Sequence, residues 1–159
     1  MRNNPIGLVD PNGLVVLNAA GLPPGAAADI ILAIQDLESK LKYDPQCDCY
    51  FRQHGGRTLS DLLNDPTIYI YYNPHQERTP NGQIVHGKTL PWNQPDALWL
   101  YPISISQGQY DIESTIVHEL LHLDYNPTFP YGTNAEPEAD KASEICVQFS
   151  FQITVSAKP

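Results

Sequence analysis

Hydrophobic residues recur every three or four positions in one long segment of the first half of the chain. Ala26 to Tyr43 reads AAADIILAIQDLESKLKY, and its larger apolar residues are Ile30, Ile31, Ile34, Leu37 and Leu41. This spacing places them along one face of an α-helix. Pro45 then drives Asp44 out of helical geometry. The pattern therefore predicts an amphipathic helix that ends before Asp44.

Two later segments predict strands. Thr67 to Tyr72 (TIYIYY) alternates and is rich in β-branched and aromatic residues, and Ala97 to Ile105 (ALWLYPISI) is a second apolar run. Such residues favour β-structure. Pro102 lacks the N–H that an inner strand donates, so the second strand is predicted at the edge of its sheet.

The remaining segments are shorter or less regular. Residues 44–57 are predicted to be irregular, and Thr58 to Leu63 is predicted to be a short helix with Thr58 as its cap. Near the end of the chain, a helix is predicted over 135–151, becoming strand-like from Phe149 to Val155. The 15 prolines and 10 glycines indicate a loop-rich domain.

A third apolar segment, Ile112 to Leu123 (IESTIVHELLHL), contains neither glycine nor proline. Its apolar residues nearly encircle the helix that they would form, which predicts a buried helix. Asp111 is the expected N-cap, and Glu113 is expected in the first turn. Asn126-Pro127 is expected to end the helix.

Two histidines and a glutamate lie within this helix. His118 and His122 are four positions apart, so both imidazoles can face one metal ion. Glu119 lies between them and can take a proton from the water that a metal activates. Burying all three without a partner would be costly, and a metal supplies that partner. The alternative is a surface helix with two solvated histidines, which the apolar flanks disfavour.

A third ligand is expected downstream, because catalytic zinc usually has three protein ligands. The acidic candidates are Asp124, Glu136, Glu138, Asp140 and Glu144. Asp124 follows His122 by two positions and so points away from the histidines. Glu136 and Asp140 share a helix face: one can bind the metal while the other accepts the N–H of a ligand histidine. The alternative for this segment is a solvated, acidic helix start.

HELLH followed by EPEAD resembles the gluzincin metallopeptidases, which include thermolysin. The resemblance covers Thr115 to Glu144. It implies that the metal is zinc, with His118, His122 and Glu136 as its ligands. It also implies that Glu119 is the general base and that Asp140 assists a zinc-binding histidine.

Two departures from the gluzincin pattern leave the third ligand open. Only 13 residues separate His122 from Glu136, and a proline lies inside the E-x-x-A-D segment. Glu138 or Asp140 therefore stays an alternative metal ligand. An aspartate ligand would be typical of the aspzincins.

The first residues carry a second resemblance. Asn3 to Leu14 reads NNPIGLVDPNGL, which resembles the end of the RHS-repeat core in bacterial polymorphic toxins. That resemblance implies a self-cleavage junction between Leu14 and Val15, with Asp10 as the matching aspartate. It divides the chain into the end of an RHS core, 1–14, and a toxin domain, 15–159. The alternative is a leader rich in ordinary turn dipeptides.

Charge and cysteines restrict the function further. The net charge is −9 without a basic cluster, which argues against nucleic acid and an anionic membrane as main partners. No signal peptide and no membrane span are recognisable. Cys47, Cys49 and Cys146 are an odd number and are expected to be free or buried thiols, with a Cys47–Cys146 or Cys49–Cys146 disulfide as the alternative.

The resemblances imply a zincin-like α+β fold. A small, mostly antiparallel sheet would pack on an N-terminal helix, the HExxH helix and a C-terminal ligand-bearing helix. Leu98 to Ile103 is either a core strand or an edge strand that holds the substrate backbone. Tyr125 and Tyr131 are the candidate catalytic donors to the oxyanion, and His75 and His86 are weaker candidates.

The expected function is that of a zinc metalloendopeptidase toxin, secreted as an effector and delivered into a target cell, where it cleaves a protein. The resemblance implies an upstream RHS shell and a cognate immunity protein as partners. A zinc amidase or peptidase that acts on peptidoglycan is one alternative. A non-catalytic, zinc-stabilised binding module is another, which the intact Glu119 disfavours.

Overall fold

The computed structural model describes residues 8–9, 15–89, 97–124 and 135–156. Their elements are, in chain order, β1 (Leu8–Val9), β2 (Val16–Asn18), α1 (Ala26–Leu41), α2 (Gln46–His54), α3 (Leu59–Leu63), β3 (Tyr69–Tyr72), β4 (Gly87–Thr89), β5 (Ala97–Leu100), α4 (Pro102–Ser106), α5 (Gln109–Asp124) and α6 (Ala135–Ser156). The predicted α+β class is confirmed. No helix in this set has both the length and the apolar character needed to cross a bilayer.

The strands form one sheet in the order β1-β2-β3-β5-β4. The outer pairs, β1–β2 and β4–β5, are antiparallel, whereas β2–β3 and β3–β5 are parallel. The prediction of a mostly antiparallel sheet is therefore wrong. The sheet is mixed because α1, α2 and α3 form a long crossover between β2 and β3, and such a crossover allows parallel pairing.

The predicted edge strand Ala97 to Ile105 is an inner strand followed by a helix. β5 ends at Leu100 and lies between β3 and β4. Pro102 begins α4, where a missing N–H leaves no helical hydrogen bond unmade. Within the described part of the sheet, β4 is the edge strand beyond β5. The hypothesis that Leu98 to Ile103 is a substrate-binding edge strand is therefore wrong.

The first and third helices form where the sequence predicts them. α1 buries Ile30, Ile34 and Leu37 on one face. Thr58 caps α3: its hydroxyl accepts the Asp61 N–H, and the Asp61 carboxylate accepts the Thr58 N–H. This reciprocal pair satisfies two donors that a helix start otherwise leaves unpaired.

Two predictions around the cysteines are wrong. Residues 44–57 are not irregular, because α2 forms there and buries Cys47 and Phe51. An apolar face of two residues is too short for its helical period to be recognised. Cys47 is not a free thiol either: the structure has the alternative, a disulfide between Cys47 and Cys146 of α6, 99 positions away, and Cys49 is free and exposed.

The core lies between the sheet and the helices that pack on it. α5 contacts α1, α6, β4 and β5, and its buried apolar residues are Ile112, Ile116, Val117, Leu120 and Leu121. The prediction of a buried HELLH helix is confirmed. α6 continues to Ser156, so the strand-like character expected from Phe149 to Val155 is wrong. Strand propensity is a weak preference that context overrides.

The proposed junction falls at the border of the described residues. Val15 is 1% exposed, and its N–H donates to the Leu63 carbonyl at 2.9 Å. Asp10 and Leu14 lie outside the described residues. Self-cleavage between Leu14 and Val15, and the division of the chain at this point, therefore stay predictions.

Candidate metal centre

α5 is held at both ends by contacts that fix its orientation. Near its start, the Asp111 carboxylate lies 2.8 Å from Nδ1 of His86. Asp111 is therefore not the N-cap: α5 already begins at Gln109. At its end, Asp124 accepts the backbone N–H and the Nε–H of Arg57 at 2.9 and 2.7 Å. These bonds occupy Asp124 away from the histidines, as predicted.

The two histidines of α5 meet one carboxylate of α6. Nε2 of His118 lies 3.2 Å from Glu136, and Nε2 of His122 lies 3.0 Å from the other oxygen of Glu136. The two Nε2 atoms are 3.1 Å apart. Two imidazole nitrogens and a carboxylate oxygen thus converge within 4.8 Å of one another.

This donor set fits zinc. Ligand atoms about 2.0–2.1 Å from a tetrahedral zinc ion lie roughly 3.3 Å from one another, close to the observed spacings. The closeness of Glu136 also raises the proton affinity of His118. Burial lowers the pKa of His118, but its hydrogen bond to Glu136 and the charges of Glu119, Glu136 and Asp140 outweigh burial and raise it overall. Hydrogen bonds from His118 and His122 hold the pKa of Glu136 far below its usual range.

Asp140 lies behind His118 rather than beside Glu136. Its Oδ1 is 3.1 Å from Nδ1 of His118, on the opposite side of the imidazole from Nε2. A carboxylate in this place orients a ligand histidine and selects its tautomer. Glu138 is elsewhere: Oε2 is buried without a hydrogen-bond partner among the described residues, and the Glu138 carbonyl accepts the Tyr50 hydroxyl at 3.2 Å. The structure therefore brings Glu136, and not Glu138, to the histidines.

Glu119 is buried beside this cluster. It is 5% exposed, and Oε2 accepts the Thr89 hydroxyl at 2.5 Å. Burial is the largest influence and raises the pKa of Glu119, while the Thr89 bond and the charges of His118 and His122 lower it. The balance leaves the pKa above that of an ordinary glutamate, which suits a group that must accept and release a proton.

The edge strand β4 lies directly against α5 at this point. A Cβ atom on Gly87 would come within 2.5 Å of Cγ2 of Thr115 and 2.9 Å of Cγ of Glu119. Only glycine therefore allows the approach that brings Thr89 to Glu119. Neither Gly87 nor Thr89 was predicted from the sequence. The three residues of β4 (GKT) are too few to show a hydrophobic period, and they match no recognisable motif.

An open cleft of ≈ 650 Å³ reaches His118 and Glu136 of the cluster. Residues 83–87, the outer side of α5 and the first turns of α6 line it, and Glu144 lies on its α6 wall beside Lys141. His86 lies on the cleft, whereas His75 does not line it. Tyr125 and Tyr131 lie outside the described residues, so their catalytic role stays a prediction.

No protein-family model, no curated protein and no solved structure matches this chain.

Proposed function

We propose that this chain is a zinc-dependent hydrolase that cleaves peptide bonds of a target protein. One observation carries the proposal: a buried carboxylate, Glu119, lies beside a convergent group of two imidazoles and one carboxylate at an open cleft. Catalytic zinc sites combine three such ligands with an open position. A purely structural zinc site would need neither the open cleft nor the additional buried acid.

Each residue has a separate part in the proposed reaction. His118, His122 and Glu136 would hold the ion, and Asp140 would orient His118. Zinc, when bound, supplies a Lewis acid that activates water and polarises a carbonyl group. Glu119 accepts the proton of the attacking water at its carboxylate.

The outer edge of β4 offers a place for the substrate backbone. Within the described residues the sheet ends at β4, whose Gly87 and Thr89 both contact Glu119 or its neighbours. An extended peptide could pair with this edge by strand addition. Its scissile bond would then lie over α5, close to the general base.

The two sequence resemblances support a biological setting for the proposed hydrolase. HELLH with EPEAD supports a gluzincin-like site in a zincin-like fold, and NNPIGLVDPNGL supports delivery by an upstream RHS shell. On this proposal the domain acts as a secreted effector inside a target cell, and a cognate immunity protein protects the producer.

One structural feature favours a second candidate, a zinc amidase or peptidase that acts on peptidoglycan. The Cys47–Cys146 disulfide joins α2 to α6, and both sulfur-bearing residues are nearly inaccessible, at 3% and 4% exposure. Disulfides form and persist in oxidising compartments and are rare in the cytosol. A protein built with one is suited to act outside the cytoplasm, where peptidoglycan lies.

Metal binding tests the ligand set directly. The purified 159-residue chain is expected to bind one equivalent of zinc, and His118→Ala and Glu136→Ala are expected to lose it. Glu138→Ala is the matched control, because it removes the neighbouring acid that does not face the histidines. Zinc retained by Glu136→Ala but lost by Glu138→Ala would contradict the ligand assignment.

Mapping of new protein N-termini tests the reaction. Wild type and Glu119→Ala are expressed in target cells, once in the cytoplasm and once exported to the periplasm, with Glu38→Gln on α1 as a control that keeps full activity. New termini with wild type and Glu38→Gln alone are the expected result. Lysis upon export without new termini would favour peptidoglycan. Full toxicity of Glu119→Ala would favour the non-catalytic binding module.

A further inference from the structure

We propose that His86, held by Asp111, is a second catalytic residue that protonates the amine leaving group of the cleaved bond. This inference rests on the proposed peptide hydrolysis. It concerns a pair of side chains that neither the HELLH nor the EPEAD segment contains.

The pair lies on the same cleft as the metal-binding cluster. His86 comes from the segment that enters β4, and Asp111 comes from the first turn of α5. Both line the cleft together with His118 and Glu119. The cleft therefore has a general base on its buried side and an imidazole on its open side.

The contact with Asp111 determines which nitrogen of His86 is available. Nδ1 lies 2.8 Å from the Asp111 carboxylate, so the proton between them belongs on Nδ1. Nε2 has no hydrogen bond to any described residue, and the side chain is 43% exposed. The ring can thus carry a second proton on Nε2 and present it to a molecule in the cleft.

The backbone around His86 is fixed, as a catalytic residue requires. Its carbonyl accepts the N–H of Tyr101 at 3.1 Å, at the end of the neighbouring strand. The next residue is Gly87, whose backbone abuts Glu119 so closely that a Cβ would lie 2.9 Å from Cγ of Glu119. His86 is thereby anchored one residue from the contact with the general base.

Acid and base have different surroundings, which suits a division of roles. Glu119 is buried, whereas His86 is half-exposed beside the Asp111 carboxylate on the same cleft. In the reaction, one water proton goes to Glu119 and the hydroxyl oxygen bonds the carbonyl carbon. The C–N bond breaks, and the Nε2 proton of His86 goes to the nitrogen. The proton on Glu119 then returns to His86 through solvent, which restores both groups.

Two substrates with the same acyl part and different leaving groups test this role. The first is a peptide that the wild type cleaves, and the second is its p-nitrophenyl ester, whose leaving group departs without a proton. His86→Gln is expected to lower kcat/KM for the peptide about 10²- to 10⁴-fold and for the ester less than about tenfold. Asp111→Asn should give the same selective loss, but smaller. His75→Gln, a histidine outside the cleft, is the control and should change neither.

Equal losses on peptide and ester would overturn the assignment, because a merely structural pair would affect both. If no peptide and no ester were found that the wild type hydrolyses, the proposed function itself would be contradicted, and the His86 role with it. A second measurement needs no activity: imidazole nitrogen chemical shifts, read where the His86 ring holds a single proton, should place that proton on Nδ1 and should change in Asp111→Asn. A single proton on Nε2 instead of Nδ1 in the wild type would also overturn the proposal.

Discussion

Two glutamates on α5, Glu113 and Glu119, are almost equally buried, at 3% and 5% exposure, but their surroundings differ. Lys40 lies 3.1 Å from both oxygens of Glu113 and 2.6 Å from Asp36. Glu119 has no lysine or arginine partner among the described residues; the Thr89 hydroxyl is its hydrogen-bond donor there. Glu113 is compensated within the core by Lys40, whereas Glu119 faces the cleft.

The difference separates a structural acid, Glu113, from Glu119, for which we propose a catalytic role. Burial, and then the hydrogen bond with Asp36, raise the pKa of Glu113 to about 8 against the attraction of Lys40. The bond with Glu113 lowers the pKa of Asp36. At neutral pH the three groups therefore hold one shared proton and no net charge. Among the described residues no lysine or arginine compensates Glu119 in this way, which is consistent with a partner that arrives with the metal and the substrate.

The largest effect, on the rate of hydrolysis, is expected when each of the two glutamates is replaced by glutamine in turn. Glu119→Gln should lower the hydrolysis rate by about 10²- to 10⁴-fold, because it removes the proton acceptor. It should keep zinc and leave the free energy of unfolding unchanged or slightly raised, since an uncompensated buried carboxylate is gone. The readouts are peptide hydrolysis, zinc content and urea unfolding.

Glu113→Gln is the matched control, because it makes the same chemical change on the same helix at the same burial. It should retain activity within about threefold, as Gln resembles the protonated glutamate. A large loss of activity with Glu113→Gln, or full activity with Glu119→Gln, would end the distinction between the two acids.

The second effect, on stability, is expected at Lys40. Lys40→Met keeps the length of the side chain but leaves Asp36 and Glu113 without their cation. The free energy of unfolding should fall by about 3 kcal/mol, the lower end for breaking a buried ion pair, because Asp36 is partly exposed. Lys42→Met, two positions along α1, is the control. Equal unfolding midpoints for the two variants would mean that Lys40 does not compensate Glu113.

The residues that lie close together in the sequence could be predicted as a site, whereas the contact between Thr89 and Glu119 could not. His118, Glu119 and His122 share a short motif, and Asp140 follows Glu136 by one helical turn, so local spacing was enough to group them. The Thr89 contact was not predictable in this way. It depends on β4 pairing with β5 and on the missing side chain of Gly87, and both are tertiary effects.

The fold, too, could be predicted where a local pattern was long enough and not where it depended on distant contacts. The apolar faces of α1 and α5 are long enough for their period to be recognised, and both helices form as predicted. Pro102 was ambiguous, because a proline suits both an edge strand and the first turn of a helix. The bond between Cys47 and Cys146 joins positions 99 residues apart, and cysteine spacing could name this pairing as an alternative but could not select it.

A third, smaller effect is expected from pH. The folded pKa of Glu113, about 8, is above that of an unfolded glutamate, 4.5, so between these values the folded protein holds a proton that the unfolded chain releases. This stabilisation is complete below about pH 4.5 and is lost as the pH rises through 8. The free energy of unfolding should fall by on the order of 2 kcal/mol from pH 5 to 8. Asp36 acts oppositely, and only below its own ordinary value of 3.8.

Unfolding in urea at several pH values measures this slope. Glu113→Gln should remove most of the fall between pH 5 and 8, whereas Glu119→Gln tests whether the second buried acid adds to it. An unchanged slope in Glu113→Gln would assign the pH dependence to other groups and would leave the shared proton unsupported.

The smallest effect is expected from Thr89, the hydrogen-bond donor that Glu119 has within the described residues. Thr89→Val keeps the shape of the side chain and removes the hydroxyl that lies 2.5 Å from Oε2. A hydrogen bond to a charged group contributes about 1.5–3 kcal/mol, but water from the open cleft can replace part of it. We therefore expect kcat to fall about tenfold with little change in KM, because Thr89 positions the base rather than the substrate.

Thr89→Ser should restore most of the rate, since it keeps the donor. Thr115→Val, which removes a neighbouring hydroxyl bonded to Ser104 instead, should not reproduce the loss. Equal losses in Thr89→Val and Thr89→Ser would show that packing at β4, and not the hydroxyl, is what Glu119 requires.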